Sequence, residues 1–127
     1  MRNAELTIVY SPAFKEHLAN PHNVGEIAKP DAIAEETNPV CGDRLRLYLR
    51  TRDSRIVAAR FLAYGCPPTL VCGSALTELL IGRSIDEAQR LARKELVAAV
   101  GGLPSRKQHA AALAIEVLQS ALDKLAR

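Results

Sequence analysis

Residues 44–52, RLRLYLRTR, constrain the fold more than any other stretch of this chain. Leu45, Leu47 and Leu49 alternate with Arg44, Arg46, Tyr48, Arg50 and Arg52. A period of two is the signature of a strand, here with one apolar face and one basic face. One face must therefore be covered while the other stays solvated. Asp53-Ser54 reads as a turn, and residues 55–64 form a second strand through Ile56, Val57, Phe61 and Tyr64. Two strands joined by a short turn make a hairpin, so the sheet is antiparallel. Residues 32–40 give a weaker strand pattern running into the turn at Cys41.

The remaining pattern is helical. Ser11-Pro12 opens a short helix to about Leu18, stopped at Asn20-Pro21, and PHNVGEIAKPD follows as a loop. After Gly65-Cys66-Pro67-Pro68, the run TLVCGSALTELLIG carries apolar residues at three-to-four spacing up to Gly82. Ser84 through Glu87 spells a capping box for a helix to about Ala92, and KELVAAV is a short helix closed by Gly101-Gly102. Ser105 through Gln108 spells a second capping box. The last helix carries a stripe of Ala110, Leu113, Ala114, Val117, Leu118, Ala121, Leu122 and Leu125 that must pack on something. Strands followed by helices predict an α+β domain with helices on one face of the sheet.

The length of 127 residues suits one domain, spanning 1–127. Hydrophobic residues make up 48% and aromatics 4%, with no Trp, so the core must be built of Ala, Leu, Ile and Val. A net charge of +3 is too small to argue for nucleic acid. The N-terminal MRNAELTIVYSP lacks a signal peptide's apolar run, and no stretch approaches the ~20 apolar residues of a membrane helix. A cytoplasmic setting, with no membrane or nucleic-acid partner, is expected. Cys41, Cys66 and Cys72 are odd in number and include no CxxC pair. That argues against a disulfide framework and a zinc ribbon, and leaves metal, sulfur chemistry or plain burial.

Hairpin geometry brings some of these residues together. If residues 44–52 pair with 55–64 across the turn, Asp43 and Cys66 fall at the same end of the sheet. Cys41 is two residues from Asp43, with Gly42 between them to bend the backbone. His109 opens the last helix, which must cover the sheet and can reach that end. Two thiolates, an imidazole and a carboxylate form a plausible four-coordinate set for zinc or iron. The bland alternative is that Asp43 caps a turn and the cysteines are small buried hydrophobes.

The stretches HLANPHNVGEI, NPVCGD, ARFLAYGC, LTELLIGRSIDEA and LPSRKQH occur in an order and spacing that resembles the IscU/NifU N-terminal family of iron–sulfur cluster scaffolds. The likeness runs from about Phe14 to the last helix. It implies a three-stranded antiparallel sheet with helices packed on it. It also implies a [2Fe–2S] cluster built from iron and from sulfur donated by a cysteine desulfurase, then handed to apo iron–sulfur proteins, with no turnover of the chain's own. Cys41, Asp43, Cys66 and His109 match the family's ligand positions, and Lys107 matches the lysine before the histidine. LPSRK resembles the segment that an Hsp70-type chaperone recognises, keeping Leu103, Pro104 and Lys107.

The chain departs from the family at Ala110, where a third cysteine is expected. Alanine can neither ligate a metal nor capture sulfur, which requires a thiolate. Cys72 is read as a buried helix residue, a replacement ligand or relay, or a disulfide partner of Cys66. The arginines of residues 44–52 form a solvated face or a dock for an acidic partner such as a desulfurase. His17 and His22 read as surface residues without a role. Two further functions are carried beside the scaffold: a static zinc module on the same residues, and a zinc-dependent sulfur acceptor like the SufU branch, which carries an insertion this chain lacks.

Overall fold

The computed structural model describes residues 10–125, so residues 1–9 of the stretch read for a signal peptide lie outside the described residues. The helix Pro12–Ala19 (α1) precedes three strands, Ala32–Thr37 (β1), Arg44–Arg52 (β2) and Arg55–Tyr64 (β3). They form one antiparallel sheet in the order β1-β2-β3. Helices Pro67–Leu80 (α2), Ile85–Gln89 (α3), Arg93–Ala99 (α4) and His109–Leu125 (α5) follow.

Leu45, Leu47 and Leu49 expose no surface, as the alternation in β2 requires. They face Ala63, Phe61 and Ala59 on β3 and Glu36, Ala34 and Ala32 on β1. α5 covers β1 and β2, α2 covers β3, and the two helices pack on each other. Each buried leucine contributes about 1.5–3 kcal/mol, so this row alone is a major share of the core. On α5, Leu113, Ala114, Val117, Leu118, Ala121 and Leu122 are buried along one stripe. α2 is nearly all interior: among its buried residues are the polar Thr69, Ser74 and Thr77. None of the helices among the described residues is long and apolar enough to cross a membrane.

The hairpin turn takes positive φ at both Asp53 and Ser54, the twist that suits a two-residue hairpin. Opposite Arg50 stands Ala58 and opposite Thr51 stands Ile56, so Val57 is a bulge. The extra residue switches the inward parity of β3. Ile56 is therefore buried before it, and Ala59 and Phe61 after it, while Val57 is exposed.

The other face of the sheet is less bare than the arginines suggest. Tyr48 is buried on it, taking a hydrogen bond from Arg46 Nη1 at 3.3 Å. Arg46 Nε also meets Glu35 at 2.8 Å, and Arg44 lies 4.4 Å over the Tyr64 ring. The segment 23–31 starts at the β3 edge, where Gly25 N–H donates to Phe61 O and Phe61 N–H to Asn23 O. It ends at the opposite edge, where Asp31 N–H donates to Leu49 O. Arg50 donates to the Ala28 carbonyl on the way. Residues 82–85 pair with the start of β3, so both ends of that edge strand are capped.

Several boundaries move from the sequence expectation. The first strand stops at Thr37, because the Asn38 side chain accepts from Val40 N–H in a turn. The helix opened by Ser84 has its capping box, but it ends at Gln89 as Leu91 turns into the core. Ser105 does not cap a helix. Residues Ser105–Lys107 form a single 3₁₀ turn after Pro104, Gln108 N–H donates to the Ser105 backbone carbonyl, and the Gln108 side chain turns to Leu103 O. His17 is not a surface residue: it sits one turn after Phe14 on the face of α1 that packs on α2, and it is buried.

Gly73 sets the approach of α2 to β3. A Cβ there would lie 2.5 Å from Cδ2 of the buried Phe61 ring. Alanine is the better helix former by about 1 kcal/mol, yet overpacking costs about 1–3 kcal/mol. Gly73→Ala is expected to lower the urea midpoint. A raised midpoint would show that the helix can retreat from the sheet at no cost.

Candidate metal centre

The end of β2 is shaped by a short turn. Asn38 N–H donates to Asp43 O and Gly42 N–H to Asn38 O, both at 2.7 Å, with Gly42 at φ +77°. This lifts Cys41 to the surface and drops Asp43 beneath it, 3% exposed. The hairpin register sets Arg44 opposite Tyr64, so Gly65 and Cys66 emerge alongside Asp43. Gly65 has φ +135°, and a Cβ there would fall 2.0 Å from Asp43 Oδ1. Only glycine permits that approach.

Asp43 is the hub. Its Oδ2 accepts from Cys66 Sγ at 3.1 Å, Cys41 Sγ at 3.3 Å and Thr69 Oγ1 at 3.0 Å. Its Oδ1 accepts from the Cys66 backbone N–H at 3.1 Å. Burial by itself raises the Asp43 carboxyl, but hydrogen bonds from Cys66, Thr69 and Cys41 outweigh it and hold the group below the usual carboxylate range. Burial raises the Cys66 thiol, and the adjoining Asp43 carboxylate raises it further.

His109 completes the cluster from the first residue of α5. Its Nδ1 lies 3.1 Å from the Arg106 carbonyl, which only accepts, so Nδ1 carries the hydrogen. In the neutral tautomer with that hydrogen, the Nε2 lone pair is directed inward, 3.6 Å from Asp43 Oδ2. That atom is buried and has no hydrogen-bond partner. A histidine anchored through one nitrogen and left open at the other is how a metal ligand is oriented. Cys41, Asp43 and His109 each bring a ligand atom within 4.8 Å of the others, and Cys66 adjoins them through Asp43. The donor set of two sulfurs, one nitrogen and one oxygen suits zinc or iron.

The accessory residues are placed differently. Cys72 is fully buried in α2, where burial, then the charge of Cys66, pushes its thiol up to about 12. Cys66 and Cys72 are both free thiols. Ala110 is fully buried in the core beside His109. Lys107 is half-buried in the 3₁₀ turn. Sequence reasoning missed Thr69, whose hydroxyl helps hold Asp43, and Gly65. The spacing of a helix start, Cys66 to Thr69, was the only available signal for the first.

In the metal-free protein, alkylation should follow these environments. Exposed Cys41 is expected to react first and Cys66 more slowly, because a raised pKa leaves less thiolate at neutral pH. Cys72 should react only after unfolding. Asp43→Asn removes the carboxylate beside Cys66 and should speed its labelling. Mass spectrometry of timed samples reads this order, and equal rates at Cys41 and Cys66 would contradict it.

Comparison with known proteins gives a consistent picture. The sequence profile of the NifU-like N terminal domain matches residues 9–127. The chain is 43% identical over 116 residues to the bifunctional protein NifU/MnmA of Rubrobacter xylanophilus, covering 90% of this chain and 24% of that protein. It is 37% identical over 114 residues to the iron-sulfur cluster assembly scaffold protein IscU 1 of Archaeoglobus fulgidus, covering 90% of this chain and 74% of the relative. The crystal structure of an N-terminal NifU-like protein from Brucella abortus superposes with a TM-score of 0.75 over 95% of this chain and 96% of that one, at 18% identity, which bears on the fold. The chain spans only about a quarter of the NifU/MnmA protein, and its match covers nearly all of its own length. On the profile match and the 37% identity, the chain belongs to the NifU-like N-terminal domain family.

Proposed function

We propose that this chain is a scaffold or carrier in iron–sulfur cluster assembly, holding iron or a [2Fe–2S] cluster at Cys41, Asp43, Cys66 and His109 as cargo for apo-proteins. The observation that carries this is the buried, unpartnered His109 Nε2 facing a carboxylate flanked by two thiols. A buried polar atom left open costs about 1–3 kcal/mol, and a bound ion would remove that cost. The relatives' names support the same reading.

The residues divide the work. Cys41 and Cys66 supply thiolates that bind iron tightly, releasing their protons on loading. Asp43 is the harder ligand and holds such ions less firmly than sulfur does. A site with one oxygen donor therefore exchanges more readily than an all-sulfur one, which suits cargo rather than a retained electron carrier. Cys41 is the exposed thiol, so it is the one that a sulfur-donating partner, a cysteine desulfurase, can reach. Ala110 offers no thiol, and Cys72 lies protonated in the core. Lys107 lies in the 3₁₀ turn two residues before His109, and its charge would favour anionic sulfur. Exposed Arg44, Arg50 and Arg52 of β2 and the Leu103–Lys107 segment are the surfaces on which a desulfurase and an Hsp70-type chaperone would dock. The setting is the cytoplasm, and the chain performs no catalytic turnover of its own.

Anaerobic reconstitution with iron and sulfide tests the proposal. Iron and acid-labile sulfide are expected in about equal amounts per chain, and both should be lost in Cys41→Ala and in Cys66→Ala. His109→Ala should weaken loading while leaving the fold intact by circular dichroism. Tightly held zinc that iron and sulfide do not displace would overturn the scaffold reading in favour of a static zinc module.

A further inference from the structure

A second group of ligating side chains lies on the opposite part of α2, with none of its residues in the thiol-bearing site. His17 comes from α1, His22 from the loop that follows, and Glu78 from the last turns of α2. Each offers a ligand atom within 4.8 Å of the others. We propose that His17, His22 and Glu78 form a separate binding site for a divalent first-row transition ion, zinc or ferrous iron.

One distance suits two ligands of a shared ion, and the other is a hydrogen bond that an ion would replace. His17 Nε2 stands 3.7 Å from Glu78 Oε1, too far for a hydrogen bond. Two ligand atoms each ~2.1 Å from one tetrahedral zinc stand roughly 3.4 Å apart. His22 Nδ1 lies 2.6 Å from Glu78 Oε2, so a proton is shared there. An ion would displace that proton to solvent, and the His22 ring would withdraw by less than about 1 Å to reach the same ligand spacing. His22 and Glu78 are 39% and 53% exposed, which gives room for this movement and a route for the ion.

The frame around the three residues is already built. His17 is 8% exposed, and its Nδ1 lies 2.7 Å from Ser74 Oγ. In the tautomer that donates from Nδ1, the lone pair of Nε2 points toward Glu78. Ser74 Oγ also accepts from the His22 backbone N–H at 2.8 Å, so one buried hydroxyl positions both histidines. Asn23 adopts φ +63° and donates from Nδ2 to Thr77 Oγ1 at 3.1 Å, pinning the loop against α2 one residue beyond His22. Two imidazoles and one carboxylate with open positions suit zinc or ferrous iron. The set contains no thiolate, so it differs chemically from the centre at Asp43.

The test uses the full chain carrying Cys41→Ala and Cys66→Ala. That protein, equilibrated with zinc and passed through gel filtration, is expected to retain one zinc. His22→Ala and Glu78→Gln, both at the surface, should each lower zinc affinity by at least the ~10- to 100-fold that loss of an outer hydrogen-bond partner costs. Cobalt in place of zinc should show ligand-field absorption without a thiolate charge-transfer band. No retained zinc, or zinc held equally well by His22→Ala and Glu78→Gln, would overturn the site, as would a thiolate band. Cluster reconstitution on His22→Ala in the otherwise unmodified chain should be unchanged, which separates this site's failure from that of the scaffold.

Discussion

The register of the β2–β3 hairpin, with Arg44 opposite Tyr64, decides what can meet at the open end of the sheet. It sets Asp43 beside Gly65 and Cys66, and Gly65 lacks the Cβ that would collide with the carboxylate. The bulge at Val57 is absorbed before that end is reached, so the inward rows of Leu45 and Ala63 still agree. A slip of one residue would turn Leu45, Leu47 and Leu49 outward and leave α2 and α5 with nothing to cover. The apolar core and the polar centre therefore depend on the same pairing.

At that end a nearly buried carboxylate is kept ionised by several donors. Leaving it unpaired would cost several kcal/mol. The donors that prevent this, two thiols, a hydroxyl and a backbone N–H, come from the Cys41 turn and the start of α2. Two of those donors are thiols, whose soft sulfurs are able to ligate a metal. The same side chains that hold Asp43 by hydrogen bonds could therefore exchange those bonds for bonds to an ion. His109 is positioned independently, by the 3₁₀ turn whose Arg106 carbonyl anchors its ring.

Much of this was legible in residue order. The alternation in 44–52, the Asp53-Ser54 turn and the stripe from Ala110 to Leu122 specify strands, hairpin and covering helix. The ordered motifs around Cys41, Cys66 and His109 point to the family. Other features were not legible because they depend on partners distant in sequence. Val57 looks like any apolar strand residue, and only its lack of an opposite neighbour makes it a bulge. Ser105 to Gln108 matches a capping box letter for letter, yet after Pro104 the Gln108 backbone N–H goes to the Ser105 carbonyl and its side chain to the Leu103 carbonyl. His17 sits in a polar stretch, FKEHLAN, and is buried because α1 lies against α2.

By itself, the sequence determined the elements and the apolar faces, and pointed to Cys41, Asp43, Cys66 and His109 as candidate ligands. These follow from periodicity and residue chemistry, which act over a few positions. Tertiary structure alone decided how those side chains are turned and which others gather. It turned the Nε2 of His109 toward Asp43, sealed Cys72 in the core, and gathered His17, His22 and Glu78 around Ser74. Such convergence depends on how helices pack over a sheet, and packing is settled by burial of the whole apolar surface at once.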